Sequence, residues 1–255
     1  MTRLSIAVLT EDSSSDAYDV LHCLLRAMLK LVAETAAVYD KGPIALTPAA
    51  EAQRKAMRGN MWQAKTSRTE RILIQRYIEG QLVRKDTAGF VVVHLDGDRP
   101  YCKSKSGSES HNQARFEKDI LSKVRESFKN QPDILAKIIL LVPFYSIESW
   151  LFQNTEAALA LYERHYRTHE KDIAQFKTWQ QDPSLLDEVE KPKETVSIKA
   201  KHNLDLAQNA FPAGKLDAVE KSFHQSVNRL RSSFPLVAAL AAVKPSHPAR
   251  HRSTD

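Results

Sequence analysis

Three short apolar runs punctuate this chain, and each gives way to acidic or polar residues. Leu4-Ser5-Ile6-Ala7-Val8-Leu9 leads into Thr10-Glu11-Asp12, and Phe90-Val91-Val92-Val93-His94-Leu95 leads into Asp96-Gly97-Asp98. Ile138-Ile139-Leu140-Leu141-Val142 leads through Pro143 to Ser146-Ile147-Glu148. Runs this short, continuous and rich in β-branched residues predict buried parallel strands. Between and after them the apolar positions recur at helical spacing. Val20, Leu21, Leu24, Leu25, Met28 and Leu31 predict a helix over 17–32, with Asp16 and the preceding serines as candidate N-caps. Phe116, Ile120, Leu121, Val124 and Phe128 predict another over 111–129. Further helices are predicted over 47–60, 69–84, from Ser146 on to about Tyr166, 170–179 and 216–234. An extended stretch is expected near 38–40 or 44–46, and Pro235 is expected to end or kink the last long helix.

Strands alternating with helices predict an α/β fold, a parallel sheet flanked by helices, followed by a mainly helical C-terminal part. Open sheets of this kind bind ligands beyond the carboxyl ends of their strands. Asp96 and Asp98 lie at such an end, two residues apart, so their side chains point the same way in extended chain. Converging carboxylates repel unless a cation or proton lies between them, and an oxygen-only set suits Mg2+ or Mn2+. The same dipeptide geometry also serves an ordinary Asp-Gly turn. Glu11 occupies the matching position after the first strand. Glu148 falls in the first turn of a helix after the third strand, where a favourable macrodipole contact is the alternative to ligation. His94 shares a strand face with Asp96 and reads as a hydrogen-bonded core histidine or a ligand's support.

The order strand-Glu-helix, then strand-Asp-x-Asp, resembles the TOPRIM fold of topoisomerases, primases and OLD-family nucleases. The Pro…Ile-Glu-x-Trp-Leu element at 143–151 is similar to a group of bacterial TOPRIM-like proteins tied to anti-phage defence (abortive infection), often encoded beside an ATPase. The resemblance spans roughly residues 4 to 152. It implies that Glu11, Asp96 and Asp98 hold divalent metal and that Glu148 is an additional acidic ligand. It also implies a catalytic lysine after the acidic motifs, for which Lys199 and Lys201 are the candidates. Where the family's glutamate is often followed by Gly and then Thr-Glu, this chain has Glu11-Asp12-Ser13-Ser14-Ser15-Asp16, with Asp16 as an extra candidate. The implied activity is metal-dependent cleavage of phosphodiester bonds in DNA or RNA. Two alternatives stand: a non-catalytic TOPRIM-like binding subunit, and an Asp-x-Asp nucleotide-sugar glycosyltransferase.

Composition narrows the choice. Seven glycines and no Gly-rich phosphate loop argue against an intrinsic ATPase, and the two cysteines against a Cys-based zinc site or disulfide framework. No apolar run approaches the roughly 20 residues that span a bilayer, and a cytoplasmic protein without a membrane partner is expected. The net charge of +6 favours an anionic partner. Basic residues cluster at Arg54–Arg71, Lys103–Lys105, Lys191–Lys201 and Arg250–Arg252. Such clusters near an acidic metal site suit nucleic acid. Trp62, within the first cluster, reads as helix packing rather than a stacking platform. The expected organisation is an α/β core over 1–152 with a helical insertion at 47–84, a helical extension over 153–244, and a disordered tail over 245–255. The loop at 100–111 reads as a mobile lid, and the helix over 216–234 as a candidate homo-oligomer contact.

Overall fold

The computed structural model describes residues 4–12, 15–33, 44–84, 88–97 and 111–242. Asp98, the basic stretch at 103–105, the extended stretch at 38–40 and the tail fall outside them. Four strands, β1 (Leu4–Thr10), β2 (Ile44–Pro48), β3 (Ala88–His94) and β4 (Ile138–Leu141), form one all-parallel sheet of order β2-β1-β3-β4. The chain leaves β1 toward β2 and then returns to β1's other side with β3. The strand order therefore reverses between β1 and β3, the kind of crevice in which open α/β sheets bind ligands.

Strand parity divides the core. Leu4, Ile6, Val8, Phe90, Val92, Ile139 and Leu141 face one layer, whereas Ala7, Leu9, Val91, Val93, Leu95, Leu140 and Val142 face the other. The first layer contains α1 (Ala17–Val32), whose Val20, Leu21, Leu24, Leu25 and Met28 form the predicted apolar stripe. The second contains α2 (Glu51–Met57), α3 (Arg68–Leu82), α4 (His111–Phe116) and α5 (Ser122–Ser127). One π-helical turn, Glu117–Leu121, lies between α4 and α5. Trp62 is buried in this layer, edge-on to Phe116, as packing rather than stacking surface.

The helices predicted over 47–60, from Ser146 to about Tyr166 and over 216–234 differ from expectation, the second being broken between Leu151 and Thr155. Thr47 and Pro48 belong to β2, not to a helix, because Pro48 lies opposite Val8 on an edge strand, where a missing ladder donor is tolerated. The helix that follows ends early because Gly59 and Asn60 both adopt left-handed backbone, at φ 58°. The helix predicted over 216–234 is two helices, α12 (Ala213–Asp217) and α13 (Ser222–Ser232). The break is stabilised from outside: Ser222 donates its backbone N–H and its hydroxyl to the buried Asp187 carboxylate, at 2.5 and 2.8 Å. Pro235 lies in the first turn of α14 (Phe234–Ala242), where its missing N–H is not needed.

Beyond Phe152 the chain adds α8 (Thr155–His165), α9 (Glu170–Gln181), α10 (Pro192–Thr195) and α11 (Asn203–Gln208), after the short α6 (Pro132–Leu135) and α7 (Glu148–Leu151). Leu206, Leu216, Phe223, Val227, Leu230 and Leu236 enter the same core layer as α1. The C-terminal helices thus complete one face of the sheet. α13 also covers the β4 edge: Ser226 Oγ accepts from Val142 N, Arg229 Nη1 donates to Leu140 O and Ser233 Oγ donates to Ala136 O. Side chains on one helix face satisfy backbone groups that an exposed edge would leave for another strand. No described helix is long and apolar enough to cross a membrane.

Candidate functional site at the carboxyl edge of the sheet

Glu11 and Asp96 both leave the sheet at its carboxyl edge, and the backbone N–H of Glu11 extends the pairing by donating to His94 O at 3.2 Å. Parity nevertheless separates their side chains. Glu11 continues the Ala7, Leu9 series toward α4, whose Asn112 Nδ2 donates to Glu11 Oε2 at 2.6 Å and to Asp96 O at 3.1 Å. One buried amide therefore joins the ends of β1 and β3. Gln63 donates to the carbonyl of the same Asn112, and Arg115 Nη2 donates to Gln63 O at 3.0 Å. This chain of contacts connects the basic α2–α3 region to Glu11.

On the opposite face lies His94, 0% exposed. Its Nδ1 is 3.1 Å from Thr10 Oγ1, which also accepts the Asp12 backbone N–H at 3.2 Å. Its Nε2 has no hydrogen-bond partner among the described residues and lies 3.7 Å from Asp96 Oδ1. Burial, together with the nearby Lys193 charge, outweighs the pull of Asp12 and lowers the imidazole pKa to about 4. His94 is therefore neutral at physiological pH.

Glu148 opens α7 and is 1% exposed. Ser146 Oγ donates to its Oε2 at 2.7 Å, and Asn203 Nδ2 donates to its Oε1 at 2.8 Å. Lys193 Nζ, on α10, reaches the same Oε1 at 2.9 Å. Burial lowers the Lys193 pKa, but Glu148 beside it and the charges of Asp12 and Asp96 outweigh this and hold it above its ordinary value. The Lys193 ammonium thus pairs with Glu148 within the field of Asp12 and Asp96, and Asp96 also lies beside the neutral His94 imidazole. The loop carrying Ser146 and Glu148 crosses Gly97 so closely that a Cβ there would lie 2.2 Å from the carbonyl oxygens of both Pro143 and Phe144. Only glycine permits that crossing.

Of the residues expected from the sequence, Glu11 and Asp96 meet at one edge through Asn112, and Glu148 joins Asp96 through the field of Lys193. Asp98 lies outside the described residues. Lys199 and Lys201 are exposed, and the backbone N–H of Lys199 donates to the Tyr166 hydroxyl. The lysine that reaches the acidic group is Lys193, brought there by the turn of α10. Sequence reasoning missed Asp12, Asn112, Ser146, Lys193 and Asn203 as site residues. Parity from Thr10 could have flagged Asp12, since residues 10, 12, 94 and 96 share a face once β1 and β3 pair in register.

The fit to a divalent ion is partial. An ion about 2.1 Å from each ligand atom fits between His94 Nε2 and Asp96 Oδ1, because two such bonds span up to about 4.2 Å. Among the described residues no three His, Cys, Asp or Glu side chains share one such point. Among the described residues, His94 and Asp96 are the pair close enough to share an ion, and Glu11 and Glu148 are held by amide and ammonium donors on either side. No protein-family model matches this chain, and neither a curated protein nor a solved structure shows significant similarity to it.

Proposed function

We propose that this chain is a divalent-metal-dependent phosphodiesterase acting on DNA or RNA, with one Mg2+ or Mn2+ ion and one lysine sharing the work usually divided between two ions. The observation that carries the reading is the Lys193–Glu148 pair at 2.9 Å, within the field of Asp12 and Asp96, at the carboxyl edge where the strand order reverses. A bound ion supplies Lewis-acid polarisation of the phosphate and an acidified water. Asp96 holds that ion, with Asp98 and His94 as its neighbours in sequence. Lys193 stays protonated through neutral pH because Glu148 holds it so, and its Nζ donates to a non-bridging phosphate oxygen as charge builds there. Glu148, fixed by Ser146 and Asn203, aims the ammonium. In the net reaction a water oxygen bonds to phosphorus, one phosphorus–oxygen ester bond breaks, and a proton reaches the leaving oxygen.

Nucleic acid as the substrate is supported by the basic region that Gln63 links to Glu11. Part of that region serves structure instead: Arg54 and Arg58 pair with Glu51, and Arg71 donates to the Trp62 carbonyl. Lys65 and Arg68 remain exposed. A role in anti-phage defence beside an ATPase rests on the TOPRIM resemblance alone. A second reading, a binding subunit without chemistry, is favoured by one observation: Glu11 and Glu148 already have protein donors.

Incubation of labelled single- and double-stranded DNA and RNA with wild type and Lys193→Met, in Mn2+ and in EDTA, tests the proposal. Metal-dependent cleavage by wild type that falls at least about 100-fold in Lys193→Met, with Mn2+ still bound, is expected. Cleavage unchanged by the variant would remove Lys193 from the mechanism. No cleavage by wild type would favour the binding subunit.

A further inference from the structure

We propose that His94 Nε2 is itself a ligand of the site's ion, which makes the centre a mixed imidazole–carboxylate site that selects Mn2+ over Mg2+. The inference rests on the metal-dependent reading above and deepens it by naming the ion.

A histidine inside a β-strand that otherwise reads Phe90, Val91, Val92, Val93 has to be satisfied at both ring nitrogens, since an orphaned buried polar atom is destabilising. His94 is satisfied at one only. Nδ1 meets Thr10 Oγ1, and the Asp12 N–H donated to that oxygen fixes the hydroxyl. Nε2 is fully buried, has no hydrogen-bond partner among the described residues, and faces Asp96 Oδ1 across 3.7 Å. That gap is too long for a hydrogen bond and short enough to be bridged by one divalent ion. Trp150 packs beside the ring, with centroids 6.3 Å apart.

The tautomer is consistent with ligation. Thr10 Oγ1 has a second lone pair to accept Nδ1–H, which leaves the Nε2 lone pair directed at the gap. Metal-bound histidines commonly have their second nitrogen held in this way. Imidazole nitrogen favours transition ions, whereas Mg2+ prefers oxygen and keeps its waters.

The test is pulsed EPR of Mn2+ bound to the full-length protein, with competition by Mg2+, for wild type, His94→Gln and Thr10→Val. Bound Mn2+ in wild type should show coupling to a directly bound 14N nucleus that shifts to the 15N pattern in 15N-histidine-labelled protein. His94→Gln should abolish the coupling and weaken Mn2+ at least about tenfold while changing Mg2+ far less. Thr10→Val, which keeps the strand and the imidazole but removes the Nδ1 partner, should weaken Mn2+ about tenfold with the coupling retained. If His94→Gln does not fold, labelled wild type and Thr10→Val still decide. Bound Mn2+ without nitrogen coupling, or coupling that survives in His94→Gln, would overturn the inference and leave the metal-dependent reading intact. Mg2+ bound as tightly as Mn2+ would overturn the selectivity. Failure of wild type to bind either ion would overturn the metal-dependent reading itself.

Discussion

Two glycines, one at a site loop and one inside a helix, make opposing predictions about the same substitution. Gly97 lies where a Cβ would collide with two backbone oxygens, which cannot move aside as a flexible side chain would. Gly80, inside α3, has open space at its Cβ position. Gly97→Ala should therefore lose about 2 kcal/mol or more in urea unfolding, and Gly80→Ala should gain about 0.5–1 kcal/mol. Equal effects at the two positions would contradict the described crossing. Lys193 makes a different prediction. Its removal leaves the buried Glu148 without its cation, so Lys193→Met should be less stable than the double variant Lys193→Met/Glu148→Gln. Because half of the lysine side chain is exposed, solvent screening should limit the coupling to about 1 kcal/mol in a double-mutant cycle. A coupling of zero would place the ammonium in solvent. Glu11 and Asp96 can be picked out in the sequence because each lies within two residues of an apolar run, and Glu148 because it falls in the first turn of the helix after the third run. Lys193 cannot be, because its place depends on how a charged segment of short helical turns folds back over α7, and no periodicity encodes that.

At the scale of elements, strands were read better than helix ends. The apolar runs beginning at Leu4, Phe90 and Ile138 name β1, β3 and β4 to within about two residues. The extended stretch expected at 44–46 is β2; the errors at the helix start after it and at α12–α13 arose where a boundary is set by a partner distant in sequence: Val8 opposite Pro48, and Asp187 beneath Ser222. The turn between α12 and α13 is held in addition by Asp217, whose carboxylate receives Arg231 Nη2 at 2.5 Å and lies 3.1 Å from His224 Nδ1. Burial raises the Asp217 pKa, but the Arg231 hydrogen bond and charge, with His224, outweigh it and hold it below the ordinary carboxylate value. A carboxyl group depressed in the folded state contributes stability above its unfolded pKa, and that contribution is lost as pH falls through the folded pKa. Asp217→Asn should thus be less stable than wild type by about 1 kcal/mol at pH 7, with the difference closing as pH falls below the ordinary carboxylate range. Chemical unfolding at pH 7 and pH 3 measures both values. A difference that persists at pH 3 would contradict the ionic account.

For the whole molecule, the α/β class follows from alternation of strand and helix patterns, and the four-stranded parallel sheet agrees with it. The sequence does not encode strand order in any local pattern, yet the order makes the β1–β3 gap the place where the acidic loops meet. The segment after Phe152 reads as an extension when only its helices are counted. In the structure, its apolar residues close one face of the sheet and its Lys193 and Asn203 enter the site. Truncation after Phe152 would therefore remove core residues together with Lys193 and Asn203 of the candidate site. The central claim is that this edge performs ion-dependent phosphodiester cleavage with one ion and one lysine. It is tested most directly by the rate of nucleic-acid cleavage as a function of Mn2+ concentration, for wild type and Asp96→Asn. The account predicts a hyperbolic rise that saturates with a single ion and at least about a 100-fold loss in the variant. A steeply sigmoidal rise would contradict the single ion. An unchanged rate in Asp96→Asn would contradict the assignment of chemistry to this edge.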